Sequence, residues 1–188
     1  MSEGTSNWSV IVDVATILTG LGATATAYFS WKLSQKALQI QERHNRLTLR
    51  PIPFLAFADY EETLRVKFRN EGAGPYIVKS LRVCRGNECK KDLIAWMDTP
   101  PEGIYWYGFT SIFEGRAVLP NNELILLELR GNIDSPNFAR FRDSCRDKLS
   151  SLRVLLEYTD IYGSTFELYL RSLDWFARDK GTRKNKVL

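Results

Sequence analysis

A chain of 188 residues with 12% aromatic and 26% charged residues is long enough for a folded domain and too apolar for a disordered tail. Its net charge of +4 is modest, and no stretch matches a DNA- or RNA-binding module, so no DNA partner is expected. The three cysteines lack metal-ligand spacing, and neither a metal nor a cofactor is expected.

In chain order, the first element is the apolar run 8–31, which holds no Lys, Arg or Glu and carries Trp8 and Trp31 at its ends. As a helix it is about 35 Å long, against a hydrocarbon core of about 30 Å. Trp8 at one end, with Tyr28 and Trp31 at the other, suits the two headgroup belts. Glu3 alone is ionisable before the run, whereas Lys32, Lys36, Arg43, Arg46 and Arg50 follow it against Glu42. Positive flanks stay cytoplasmic, so residues 1–7 are expected outside and the rest of the chain in the cytosol. The competing expectation is a signal peptide cut after Ala25-Thr26-Ala27. Against it stand an n-region without Lys or Arg, Asp13 inside the apolar run, and the positive cluster beyond.

Two stripes on this segment point to self-association. Asp13, Thr16, Gly20, Ala23, Thr24 and Ala27 place small and polar groups at helical spacing, which lets helix backbones approach in lipid. A carboxylate such as Asp13 stays wet near the headgroups or faces a bundle interior. The segment 32–50 is expected to continue the helix, with Leu33, Ala37, Ile40, His44 and Leu47 spaced 4-3-4-3 as in a coiled-coil seam. Pro51 and Pro53 end it. A homo-oligomer in contact with membrane lipids is the expected assembly, and the basic tail 178–188 suits anionic headgroups.

From 51 to 177 the pattern changes to that of one β-rich domain. Residues 54–58 and 64–69 read as strands, the second with Leu64, Val66 and Phe68 on its buried face. Asn70-Glu-Gly-Ala-Gly-Pro75 is a turn in which Gly72 and Gly74 are expected to supply positive φ. Strands 76–84 and 89–96 form a hairpin about 85–88, while 99–114 resists assignment. Residues 123–130 are a further strand. Ser135 caps a helix that starts at Pro136 and runs to about 149, with Phe138, Phe141, Cys145 and Leu149 on one face. A last hairpin joins 152–158 to 165–171. The fold class is mainly β, an antiparallel β-sandwich with one helix behind the membrane helix.

The motifs His44-Asn-Arg-Leu-Thr-Leu-Arg-Pro51, Asn70-Glu-Gly-Ala-Gly-Pro75-Tyr-Ile-Val-Lys79 and Glu157-Tyr-Thr-Asp-Ile-Tyr-Gly163 allow a comparison. With the anchor, they resemble a group of small bacterial proteins that have one N-terminal membrane helix and a β-rich cytosolic domain. That resemblance implies a bacterial inner-membrane location and this architecture, with no activity attached. An anchor joined to a small β-rich sensor is also similar in architecture to membrane effectors of bacterial anti-phage signalling, in which a cyclic nucleotide reorganises the oligomer.

Catalytic chemistry finds no carrier: His44 is the sole histidine, and no nucleophile elbow, Walker loop or dinucleotide fingerprint is present. No catalytic residue is expected and the chain is not read as an enzyme. The candidate ligand site is a basic face around the 70–75 turn, made of Arg65, Lys67, Arg69, Asn70, Gly72, Gly74, Lys79 and Arg82, able to hold an anion such as a cyclic nucleotide. The competing reading is a solvated sheet face and a purely conformational turn. Cys84 and Cys89 face each other across an expected hairpin, where a bridge would belong to an oxidising compartment; Cys145 reads as a small buried hydrophobe. Two functions follow. One is a membrane effector whose cytosolic domain senses a ligand or protein partner; the other is a passive anchor holding another protein at the membrane.

Overall fold

The computed structural model describes residues 4–178, with side chains from Ile11 onward. The chain divides into two compact units, before and after the Thr48–Leu49 bond. The first is a single α-helix, α1, Gly4–Thr48. It holds no proline, and the residues that follow it, ending in Pro51, cannot extend it, because proline lacks an N–H and excludes its predecessor from the α region. Every side chain from Ile11 to Thr48 is exposed, including Leu21, Phe29 and Trp31. The stretch is long and apolar enough to cross a membrane, with mean hydropathy 1.3 in its best window. Thr16, Thr19, Thr24 and Thr26 each donate a hydroxyl hydrogen bond of 2.8 Å to the carbonyl four residues earlier. Their polarity is thus satisfied inside the helix, which makes threonine tolerable in lipid.

The second unit is mainly β, with two antiparallel sheets. One has the order β1 (Pro53–Asp59), β2 (Thr63–Asn70), β7 (Glu123–Arg130), β5 (Trp106–Phe109). The other runs β4 (Glu88–Lys90), β3 (Tyr76–Arg85), β8 (Arg153–Thr159), β9 (Tyr169–Ser172), with β6 (Ala117–Val118) also on β3. Alternate residues of both sheets enter one core: Leu64, Val66 and Phe68 from β2, Val78, Leu81 and Val83 from β3, Val154 and Leu156 from β8. Helix α2 (Pro136–Leu149) adds Phe138, Phe141, Cys145 and Leu149, its start fixed by Ser135 accepting from Phe138 N at 3.5 Å. Each such apolar side chain contributes about 1.5–3 kcal/mol on burial.

Three stretches differ from expectation. The strand foreseen over 89–96 stops at Lys90, and the chain tightens into a 3-10 turn, Ile94–Trp96. Trp96 is pulled inward there, its indole N–H donating to Val83 O at 3.1 Å. The unassigned stretch 99–114 supplies the edge strand β5. In the last hairpin only Tyr169–Ser172 pairs continuously with β8, beyond an isolated bridge from Thr159 to Thr165. Asp160 explains the gap: its carboxylate accepts from Tyr162 N (2.9 Å) and Ser164 N (2.8 Å) and widens the turn. Of the basic tail, all but Arg178 lies outside the described residues, as do residues 1–3.

Candidate functional site

The densest polar construction lies where the second unit begins. Asn70, at the end of β2, is 1% exposed. Its Oδ1 accepts from Gly72 N at 3.0 Å and Ile52 N at 3.3 Å, and its Nδ2 donates to Gly74 O at 2.8 Å and Val118 O at 2.9 Å. One side chain therefore ties together the segment leaving α1, the 70–75 turn and β6. A backbone bond from Glu71 N to Ile52 O, 2.9 Å, runs alongside. Pro51 and Pro53 are buried, and the Arg50 guanidinium lies 5.8 Å from the Phe166 ring centroid. Phe166 stacks on Tyr158 at 5.0 Å, and Tyr158 meets Tyr76 edge-on at 5.7 Å.

The two glycines serve a different purpose from the expected one. Positive φ occurs at Gly86, Gly103, Gly115 and Gly163 among the described glycines, and not at Gly72 or Gly74. What these two provide is room. A Cβ on Gly74 would overlap the Leu49 carbonyl, and one on Gly72 would overlap Arg50 O and come within 2.5 Å of Ile52 N. Two backbones cross here in direct contact, which only a residue without a side chain allows.

No protein-family model matches this chain, and no curated protein does.

Tyr76 borders the joint with 0% exposure, and among the described residues its hydroxyl has no hydrogen-bond partner. Burial, with Tyr169 and Tyr158 adding to it, pushes the phenol above its ordinary value. Removing an unsatisfied hydroxyl forfeits nothing, so Tyr76→Phe is expected to change unfolding stability by less than about 1 kcal/mol, toward stabilisation. A loss of several degrees in melting temperature would instead mean that the hydroxyl has a partner.

The basic row is divided between the two sheets, and Arg65, Lys67, Arg69 and Arg82 are paired with carboxylates while Lys79 is exposed. Arg65, Lys67 and Arg69 lie on β2, whose neighbours are β1 and β7, whereas Lys79 and Arg82 lie on β3 in the other sheet. Strands 63–70 and 76–85 are consecutive, but the chain crosses from sheet to sheet at the 70–75 turn rather than forming a hairpin. Within the β2 row each cation meets a carboxylate. Lys67 lies 2.5 Å from Glu123, Arg69 lies 3.4 Å from Glu71 and 3.6 Å from Glu123, and Arg65 lies 3.9 Å from Glu128. Glu128 is fully buried and bonds Arg130 Nε at 2.6 Å, and the Arg130 guanidinium covers the Tyr107 ring at 3.5 Å. The hydrogen bond from Lys67 holds the Glu123 carboxyl below its ordinary value. A depressed carboxyl stabilises the fold at neutral pH and loses that contribution as acid protonates it, a small effect at this half-exposed site. On β3, Arg82 pairs with Glu157 at 3.1 Å.

Along α1 the two stripes occupy different faces. At 100° per residue, the set Asp13, Thr16, Gly20, Ala23, Thr24, Ala27 and the set Leu33, Ala37, Ile40, His44, Leu47 are centred about 130° apart on one unbroken helix. A straight pair of helices can bury one stripe and not both. Among the described residues, Asp13 makes no hydrogen bond or ion pair. Gly20 and Gly22 have open space around them, so a larger side chain there fits the lone helix and clashes only with a neighbour. Gly20→Leu is accordingly expected to leave helix content unchanged and to weaken self-association by roughly 1 kcal/mol or more, read by cross-linking in detergent. Unchanged association would remove that stripe from any interface.

Elsewhere, a cleft of about 620 Å³ is lined by residues from Asp59 to Thr63 with Arg142 and Arg146. Its arginines are engaged: Arg142 donates to the Tyr60 and Glu61 carbonyls, and Arg146 to Asp59 at 2.6 Å. Among the described residues no group of three or more His, Cys, Asp or Glu could hold a metal ion.

Proposed function

We propose that this chain is a single-pass protein of a bacterial inner membrane, with its N-terminus outside, α1 crossing the bilayer, and a β-sandwich in the cytosol. In this reading the sandwich senses a ligand or partner and the helices self-associate to act on the membrane. What supports the reading is the joint at Leu49–Pro53. A passive tether needs only a flexible linker, yet Ile52, four residues after α1, is held at both its backbone polar groups, its N–H donating to Asn70 Oδ1 and its carbonyl accepting from Glu71 N, and the chain around it makes two side-chain-free crossings. A domain whose first residues are fastened to its own 70–75 turn has no slack there in which a movement would be lost before it reaches Leu49.

The paired charges on β2 bear on the ligand. A nucleotide there would have to displace Glu123 and Glu71 from the cations they already neutralise, whereas a protein of mixed charge would exchange one set of pairs for another. A protein partner therefore suits this face better than a cyclic nucleotide.

The test is insertion of a flexible Gly/Ser stretch between Thr48 and Leu49, followed with a membrane-potential dye in expressing cells. An effector is expected to stay in the membrane and lose depolarisation. Activity that survives the insertion, or a functional exchange of residues 8–31 for an unrelated single-pass helix, would replace this reading with the passive anchor.

A further inference from the structure

Cys84 on β3 and Cys89 on β4 stand directly opposite each other and are joined by a disulfide. The hairpin hardly needs this bridge. Its strands are connected through Gly86, at φ +56°, and Asn87, and their backbones already pair from Val83–Lys90 to Arg85–Glu88. A bridge spanning only five positions also closes the kind of loop in which cross-linking constrains the unfolded chain least.

The surroundings suit reaction better than stapling. Cys89 is exposed at a three-residue edge strand, while Cys84 beneath it is 4% exposed. Arg153 is the β8 partner of Cys84 and Arg82 lies two residues before it, whereas Arg85 and Lys90 alternate to the other face, 4.9 Å and 4.4 Å from the Trp96 ring centroid. The nearby carboxylates, Glu88 and Glu157, are paired with Lys90 (3.7 Å) and Arg82 (3.1 Å). Cys89, exposed on its edge strand, is the sulfur a small disulfide can reach, and Cys84 opposite it is placed to resolve the mixed disulfide. Cys145 is no competitor: it is 2% exposed on the core face of α2, and burial pushes its thiol up to about 12.

We propose that Cys84 and Cys89 form a reversible thiol–disulfide exchange site in the cytosolic domain, with low-molecular-weight disulfides of the glutathione type as co-reactant. This rests on the cytosolic orientation above, because a periplasmic bridge would be permanent. In the oxidising direction the Cys89 thiolate attacks one sulfur of the small disulfide and expels one thiolate. The Cys84 thiolate then attacks Cys89 Sγ and expels the second. Two protein thiols become one disulfide, one small disulfide becomes two thiols, and the two protons released pass to the leaving thiolates. Excess small thiol drives the same steps backward.

The experiment uses the full chain in membranes of growing cells, quenched in acid, denatured and labelled with a maleimide polymer, in strains that also carry a topology reporter after Leu188. Before stress all three cysteines are expected to label. A pulse of diamide, which converts the cellular small thiol to its disulfide, is expected to abolish two of the three adducts, and washout to restore them. Cys84→Ser should instead trap a mixed disulfide on Cys89, released by reductant. A cytosolic reporter with either a constant bridge or no bridge under stress overturns the exchange site and leaves the orientation standing. A periplasmic reporter with a constant bridge overturns the orientation itself.

Discussion

Gly74→Ala is expected to break the joint and to destabilise the second unit severely. The added methyl would overlap the carbonyl of Leu49, and that neighbour is backbone rather than a side chain able to rotate away. Asn70→Ala attacks the same place from the other side. It leaves the Gly72 and Ile52 N–H groups and the Gly74 and Val118 carbonyls without the partner they share. At about 1–3 kcal/mol for each group that water cannot reach, a loss of about 3–5 kcal/mol is expected. A domain typically holds about 5–15 kcal/mol in reserve, so the melting temperature should fall by about 10 °C or more. Asn70→Asp separates geometry from chemistry. It keeps the acceptor but turns a donor into an oxygen facing two carbonyls, and it should be no better than alanine. The check is thermal unfolding of the full chain in detergent, with proteolysis around residues 49–52 as a local probe. Variants that melt within a degree or two of the parent and resist cutting there would show that the crossing is not structural.

Asp59 and Arg146 carry the second large effect. They link the end of β1 to α2 at 2.6 Å, with side chains 2% and 9% exposed. Asp143 also reaches the same guanidinium at 3.2 Å, and Arg178 approaches Asp59 at 3.9 Å. Asp59→Ala leaves Arg146 buried beside one remaining partner, and about 3–5 kcal/mol should be lost, read as a lower urea midpoint at unchanged slope. A joint exchange of Asp59→Leu and Arg146→Met removes both charges and should recover most of that loss, because neither ion then has to be desolvated. Losses that simply add would mean the two side chains act independently.

Elements settled by neighbours in sequence were legible beforehand. The alternation of Leu64, Val66 and Phe68 placed all three in the core, and Ser135 with Pro136 marked the start of α2. Phe138, Phe141, Cys145 and Leu149 form its buried face, as their spacing implies. Strand β5 is not legible in sequence because four residues carry no usable period, and it is a strand only through its pairing with β7. Lys79 and Arg82 would share a face with the β2 cations only if the consecutive strands β2 and β3 paired. Here the chain crosses between sheets instead, a choice set by long-range packing.

The amino-acid sequence alone therefore determined a membrane-length apolar helix, its end ahead of Pro51, and a β-rich unit behind it, because hydrophobic period, helix-breaking proline and capping are properties of short stretches. Only the tertiary structure decided what Asn70, Gly72 and Gly74 are for. A glycine that relieves φ and a glycine that admits a crossing backbone read alike in sequence, and the backbone that crosses comes from residues 49–52, about twenty positions away. The same holds for the basic row. Its charges were legible, but Glu123 and Glu128, which pair with the β2 cations, reach them from β7, brought there by strand pairing that no local pattern encodes.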